Sequence, residues 1–352
     1  MKTLALIATR KGLFKLTDSL KPELCGFVGV PVSMLLASSQ HDVWYAALDH
    51  GHFGVKLHRS DDAGAQWQEI SAPRYDSEGE DSLELIWSME FAQPDNPHAL
   101  WAGTIPGGLF HSPDGGESWN LNPDLWAQKN EQQWFGGGYD HAGIHSICVH
   151  PENPQHITVG VSVAGVYVSE DGGVSWLNQS QGMRAEYMPP EKQFEPIGQD
   201  PHKLVQSPSD PARLWVQHHN GVFISDDGAV QWREIKGIDP SVFGFAVAVH
   251  PKEPDIAWFV PAIKDECRIP VDGKLVVTRT RDGGKSFDSL TQGLPEPCYD
   301  LVYRHGLDVD ASGNQLLMGS TTGNLWLSQD QGDSWHNLSH YLPPVYAVRF
   351  LK

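Results

Sequence analysis

The stretch HSPDGGESW, residues 111–119, decides the fold. Asp114, Gly115 and Gly116 are turn residues, and Trp119 is a large apolar side chain set right after the turn. The arrangement Ser112-x-Asp114-x-Gly116-x-Ser118-Trp119 is not isolated. It returns as Ser60-x-Asp62-x-Gly64-x-Gln66-Trp67, Ser169-x-Asp171-x-Gly173-x-Ser175-Trp176 and Ser225-x-Asp227-x-Ala229-x-Gln231-Trp232. Two more copies are Thr280-x-Asp282-x-Gly284-x-Ser286-Phe287 and Ser328-x-Asp330-x-Gly332-x-Ser334-Trp335. The aspartates stand at 62, 114, 171, 227, 282 and 330, so the gaps are 52, 57, 56, 55 and 48. A period near fifty marks a propeller or an array of modules.

Each copy repeats one physical device. The Ser or Thr hydroxyl and the Asp carboxylate bond backbone N–H groups inside the turn. The glycine permits positive φ. The indole opens the next strand and wedges against a neighbouring repeat, a burial worth about 2–3 kcal/mol. A second signal keeps phase with the first: an apolar strand and a Pro-x-x-Pro turn at 94–97, 151–154, 208–211 and 251–254. One unit therefore reads strand A, Pro turn, strand B, loop, strand C, Asp turn, strand D. Four antiparallel strands per fifty residues make one propeller blade.

The ends of the chain add a seventh. TLALIATRKGLFKL, residues 3–16, aligns with ALWAGTIPGGLFHS and leads into a degenerate turn at Leu16-Thr17-Asp18-Ser19. VYAVRFLK, residues 345–352, reads as a strand A with no blade after it. Joined, they close the ring and remove its sheet edges. The expectation is an all-β, seven-bladed propeller of four-stranded antiparallel blades, one domain over 1–352, closed by N- and C-terminal strands in one blade.

Composition agrees with this architecture and excludes several roles. The chain has 352 residues with 35 Gly, 25 Pro and 13 Trp, enough turns for short strands and enough apolar mass for a sizeable core. Its 44 acidic against 25 basic residues give a net charge of −19, which opposes nucleic acid or anionic lipid as the main partner. Cys25, Cys148, Cys267 and Cys298 form no CxxC and read as inert thiols. The N-terminal apolar run is too short for a signal peptide and no window spans a membrane, so a cytoplasmic location is expected.

The six turns resemble the BNR or Asp-box repeats of sialidases and related propellers. That family also includes other polysaccharide-active enzymes, sorting receptors and a photosystem assembly factor. The resemblance implies a propeller and a carbohydrate-active, sialidase-like glycoside hydrolase. For a sialidase it further implies an arginine triad, a Tyr–Glu nucleophile pair and an Asp acid, with Arg-Ile-Pro in the first blade. Here Arg268-Ile269-Pro270 falls in the sixth blade, and seven blades depart from the sialidase pattern.

The strand order sorts the loops. Asp turns and Pro turns share one end of a blade; B–C loops and D–A connections share the other. The six turn aspartates are therefore structural, as are His150 and His250 before their Pro turns. Long D–A connections at 71–85, 120–143 and 178–202 are of the length that usually carries function. Eight of the 17 histidines map to that second end: His50, His52, His141, His145, His202, His218, His219 and His305. Three uses compete for them: acid–base work with Asp49, Asp140 and Asp265; a divalent metal; or the satisfaction of buried backbone groups. Arg10, Lys11, Arg184, Lys203, Lys264, Arg268 and Arg304 map there too. They either receive an anionic ligand or pair with Asp49, Asp140, Glu186, Asp265, Glu266 and Asp300.

The resulting expectation is a hydrolase for an acidic or hydroxyl-rich sugar, with Asp140 or Asp265 as general acid or base, assisted by His145 and His218. Ligand contacts are assigned to His50, His52, His141, His219, Arg10, Lys264, Arg268, Tyr299, Arg304 and His305. No cofactor is required by this reading beyond the divalent metal left open at the histidines. The expected partner is a small molecule or oligosaccharide. A binding or assembly platform without enzymatic activity, and a His-liganded metal-dependent lyase or isomerase, are the competing classes.

Overall fold

A computed structural model of the chain describes residues 2–38, 40–75 and 81–351. Residues 76–80 of the connection 71–85 lie outside the described residues. The strands form seven four-stranded sheets, each antiparallel, and the fold is a seven-bladed β-propeller. Blade I joins Val345–Phe350 to Thr3–Thr9, Gly12–Thr17 and Pro22–Gly26, so both chain ends share a sheet. Its register pairs Ile7 with Val348 on one side and with Phe14 on the other.

The other blades run in chain order. Blade II spans Val32–Ser38 to Gln68–Ile70, and blade III spans Leu85–Gln93 to Asn120–Leu121. Blade IV runs from Ile144–Val149 to Leu177–Asn178, and blade V from Pro201–Gln206 to Arg233–Ile235. Blade VI covers Gly244–Val249 to Asp288–Leu290, and blade VII Leu307–Val309 to His336–Ser339. By compactness the chain groups into residues 1–32, 205–225 and 233–352 as one unit and 33–204 with 226–232 as the other.

The Asp turns have the hydrogen bonding that the sequence predicts. In blade IV, Ser169 Oγ donates to Asp171 Oδ1 at 2.8 Å and accepts from the Gly173 N–H at 2.8 Å. Asp171 Oδ1 also accepts the Ser175 N–H at 2.9 Å, and its Oδ2 accepts the Ser175 hydroxyl at 2.6 Å. Those bonds, led by the Ser175 hydroxyl, hold the Asp171 carboxyl down at about 2. Asp282 is held at about 2 by the matching Ser286 hydroxyl. Ala229 takes the glycine position at φ 75°, a left-handed conformation that costs a Cβ-bearing residue.

The indoles fasten modules together. Trp119 Nε1 donates to the Ser71 carbonyl at 2.9 Å and Trp232 Nε1 to the Gln179 carbonyl at 2.8 Å, in each case about fifty residues back. The cores accordingly lie between successive blades. Trp101, Trp134, Tyr167 and Trp176 pack in one cluster across blades III and IV, and Trp258, Trp326 and Trp335 in another across blades VI and VII.

The connection 120–143 contains a helix, Pro123–Glu131, that the sequence reading treats as loop. Its start is locally encoded: Asn122 Oδ1 accepts the Leu125 N–H at 3.0 Å and Pro123 sits in the first turn. Its apolar stripe is too weak to announce it, because only Leu125 is buried. Among the described residues no helix is long and apolar enough to cross a membrane.

Candidate functional site

The two compact units each carry their own irregular loops. In the unit that holds blade VI, the B–C loop after Ala257–Pro261 folds back through a bridge between Lys264 and Cys267. This turn sets Arg268 against Asp265: Nε and Nη2 donate to Asp265 Oδ1 at 3.0 and 2.6 Å. The Arg268 guanidinium also stands 5.2 Å from the centre of the Phe245 ring. Arg304, from the connection between blades VI and VII, places its guanidinium 5.7 Å from the same ring.

Phe245 is buried and is part of an aromatic floor. Its ring meets Phe243 edge-on at 5.4 Å and Tyr303 at 6.5 Å, and His219 stands edge-on to Phe243 at 5.8 Å. Tyr299 is 68% exposed beside this floor's connection. Its neighbour Asp300 turns inward and is buried, accepting from the Thr322 hydroxyl and from Asn324 Nδ2. Asn324 Nδ2 donates to that carboxylate, so its Oδ1 faces His340 Nδ1 at 2.8 Å and accepts. Residues of blade VII thus brace the connection that carries Arg304.

The second neighbourhood lies in residues 33–204. His50, His52 and Phe53 occupy the short turn Gly51–Phe53, with the His52 and Phe53 rings 3.9 Å apart. His141 is exposed and sits 3.4 Å from Glu84, while Asp140 beside it is exposed. His145 is different: it is fully buried on the inner strand of blade IV, its Nδ1 2.8 Å from Ser146 Oγ. Trp87 lies edge-on to it at 5.6 Å and is in turn covered by Tyr139 at 5.3 Å. Asp200 and His202 are buried together, Oδ2 to Nε2 at 3.5 Å.

The sequence-assigned residues are therefore sorted as follows. Arg268, Arg304 and His219 belong to the neighbourhood of the Phe245 floor, and Tyr299 lies exposed on the connection that carries Arg304. His50, His52 and His141 are exposed or half-exposed and lie in the other unit. His145 and His218 are both fully buried, His218 with its Nδ1 accepting the Asn220 N–H at 3.4 Å. Asp265 is engaged by Arg268, and Lys264 by Glu266 at 3.5 Å, so part of the basic set pairs locally, as Arg184 does with Glu186 at 3.3 Å. Arg10 is exposed, and its backbone N–H donates to the Pro344 carbonyl at 2.9 Å. His305 supports the chain closure: its carbonyl accepts the Val348 N–H at 2.8 Å.

Phe245 and Asp200 are absent from the sequence assignment. Phe245 sits in GFAVAV, an unbroken apolar run that reads as core; only the convergence of two arginines sets it apart. Asp200 precedes Pro201 in a long connection and carries no local pattern that distinguishes it from a turn residue. The thiols match expectation: burial pushes Cys25 up to about 12 and Cys298 up to about 11, away from reactivity.

No protein-family model matches the chain. In sequence it is 23% identical, over 244 residues, to the oligoxyloglucan-reducing end-specific xyloglucanase of Emericella nidulans, covering 66% of this chain and 27% of that protein. The chain spans under a third of the length of the curated relatives it matches. In structure it is similar to the GH74 xyloglucanase of Xanthomonas campestris, with TM-score 0.69 and 18% identity over 97% of this chain and 53% of that one. It is also similar to YCF48 bound to a D1 peptide, with TM-score 0.55 and 16% identity over 96% of this chain and 82% of that one. At these identities the structural likeness establishes the fold alone.

Proposed function

We propose that this propeller is a carbohydrate-active protein, a glycoside hydrolase whose ligand carries an acidic group. The observation that carries the reading is the pair of guanidiniums, Arg268 and Arg304, set over one aromatic ring, Phe245. Guanidinium forks suit a carboxylate, and the buried Phe245 ring backs both of them. In a chain of net charge −19, an ionised ligand is drawn to such a spot only by local cations. The sequence relationship to a xyloglucanase supports an oligosaccharide as the ligand class. The acidic, sialidase-like refinement rests on the arginines.

Within this reading, Asp265 is the carboxylate bonded to Arg268, Tyr299 offers an exposed ring and Asp140 is an exposed carboxylate of the other unit. Release of reducing sugar is measured on neutral xyloglucan oligosaccharides and on oligosaccharides containing uronic or sialic acid. Turnover of the acidic set, abolished in Asp265→Asn or Asp140→Asn with the melting temperature kept, supports the hydrolase. Full activity in both variants overturns their catalytic assignment. The competing reading is a rigid platform for a peptide, favoured by the likeness to the peptide-bound YCF48. It predicts no turnover on either set and no effect of Arg268→Met on sugar binding.

A further inference from the structure

We propose that Asp200 and His202 hold a divalent cation of the zinc type. The inference is independent of the sugar reading. The two residues flank Pro201, where the first strand of blade V begins, Pro201–Gln206. Side chains two apart on extended chain share a face. Both are buried, with side-chain exposures of 6% for Asp200 and 4% for His202, so their positions are fixed by packing.

The separation decides between two chemistries. A charge-assisted imidazole–carboxylate hydrogen bond closes to about 2.7–2.9 Å. Asp200 Oδ2 and His202 Nε2 stand 3.5 Å apart. A tetrahedral zinc holds nitrogen at about 2.0–2.1 Å and carboxylate oxygen at about 2.0–2.2 Å, which puts two such ligand atoms about 3.4 Å apart. The observed gap matches a shared ion and is long for a direct bond. Both residues belong to a group of potential ligands whose donor atoms all lie within 4.8 Å of one another.

Two further features fit a built site. Asp200 Oδ1 accepts the Val163 N–H at 3.2 Å, which orients the carboxylate so that Oδ2 faces the imidazole. Gly137 of the WFGGGYD segment leaves room there. A Cβ at 137 would lie 2.1 Å from Val163 Cγ2 and 3.5 Å from Asp200 Oδ2, so only glycine allows the loop this close. One imidazole with one carboxylate suits zinc, manganese or ferrous iron, and the short ligand spacing favours zinc.

The test uses the full chain stripped with chelator and titrated with zinc alone by calorimetry, then with cobalt(II) read by visible absorption. Saturable binding with tetrahedral cobalt bands is expected. Asp200→Asn and His202→Gln should each weaken it at least about ten-fold, while His336→Ala, an exposed histidine far along the chain, leaves it unchanged. Both targets are buried, so a wild-type crystal soaked in zinc supplies a readout that needs no variant. Anomalous density between Asp200 Oδ2 and His202 Nε2 supports the site. No binding by the wild-type chain, binding that survives both substitutions, or an ion seated elsewhere overturns it.

Discussion

The two ends of each blade obey different rules. At the Asp-turn end, six segments spread over the whole chain repeat one design, and five of them repeat its central bond almost unchanged. The hydroxyl-to-glycine bond is 2.8 Å in four of the turns, at Gly64, Gly116, Gly173 and Gly332, and 2.9 Å at Gly284. At the opposite end no two blades agree. One carries a histidine turn, one an Arg–Asp clasp over phenylalanine, one a buried Asp–His pair. Repetition marks what the fold needs in blade after blade. Irregularity marks what is needed once, and that is where the proposed ligand contacts lie.

This contrast can be broken or sharpened by substitution. The largest effect is expected in the indole core: Trp258, fully buried between blades VI and VII, should cost about 3–5 kcal/mol as Trp258→Ala, read by denaturant unfolding. Next comes the turn device. Ser169→Ala removes a buried hydroxyl that serves both Asp171 and the Gly173 N–H, and should cost about 1–3 kcal/mol. Neither change should alter ligand affinity per folded molecule. The double variant Arg268→Met with Arg304→Met should behave oppositely. It should lower affinity for an acidic sugar at least about ten-fold while stability stays within about 0.5 kcal/mol.

The smallest effect is a pH dependence at the repeat end. His250 Nδ1 accepts the N–H groups of Lys252 and Glu253, both at 3.1 Å, and burial holds its pKa below the ordinary 6.5. The unfolded chain then takes up this proton before the folded one does. Stability is full above about pH 6.5 and declines as the pH falls below it. His58, His111 and His156 are lowered by burial as well and add to the same acid-side loss. Melting temperatures between about pH 7.5 and 5 should fall, and His250→Asn should flatten the slope. A slope unchanged by that substitution removes His250 from the account.

Much of the fold is legible in the sequence because the device is local. A hydroxyl, a carboxylate and a glycine at fixed offsets need only eight residues to close their bonds, and the indole needs only a neighbour built the same way. The pairing of Ile7 with Val348 was readable too, since each end of the chain carries a fragment of the same unit. The site is less legible, because its contacts cross sequence distances of tens of residues without a repeated pattern. Arg268 and Arg304 are visible as cations, yet only their meeting over Phe245 shows a floor. His145 and His218 look like rim histidines, but they sit on strands buried on both faces, which the residue type does not reveal. The helix Pro123–Glu131 was hidden by its weak apolar stripe.

The most direct test of this division is a crystal of the full chain soaked with glucuronic acid, compared with one soaked with glucose. The prediction is a carboxylate at Arg268 and Arg304, a sugar ring on the exposed side of those arginines, and no occupancy at the six Asp turns. A sugar acid bound at those turns, or one whose carboxylate ignores both arginines, would contradict it.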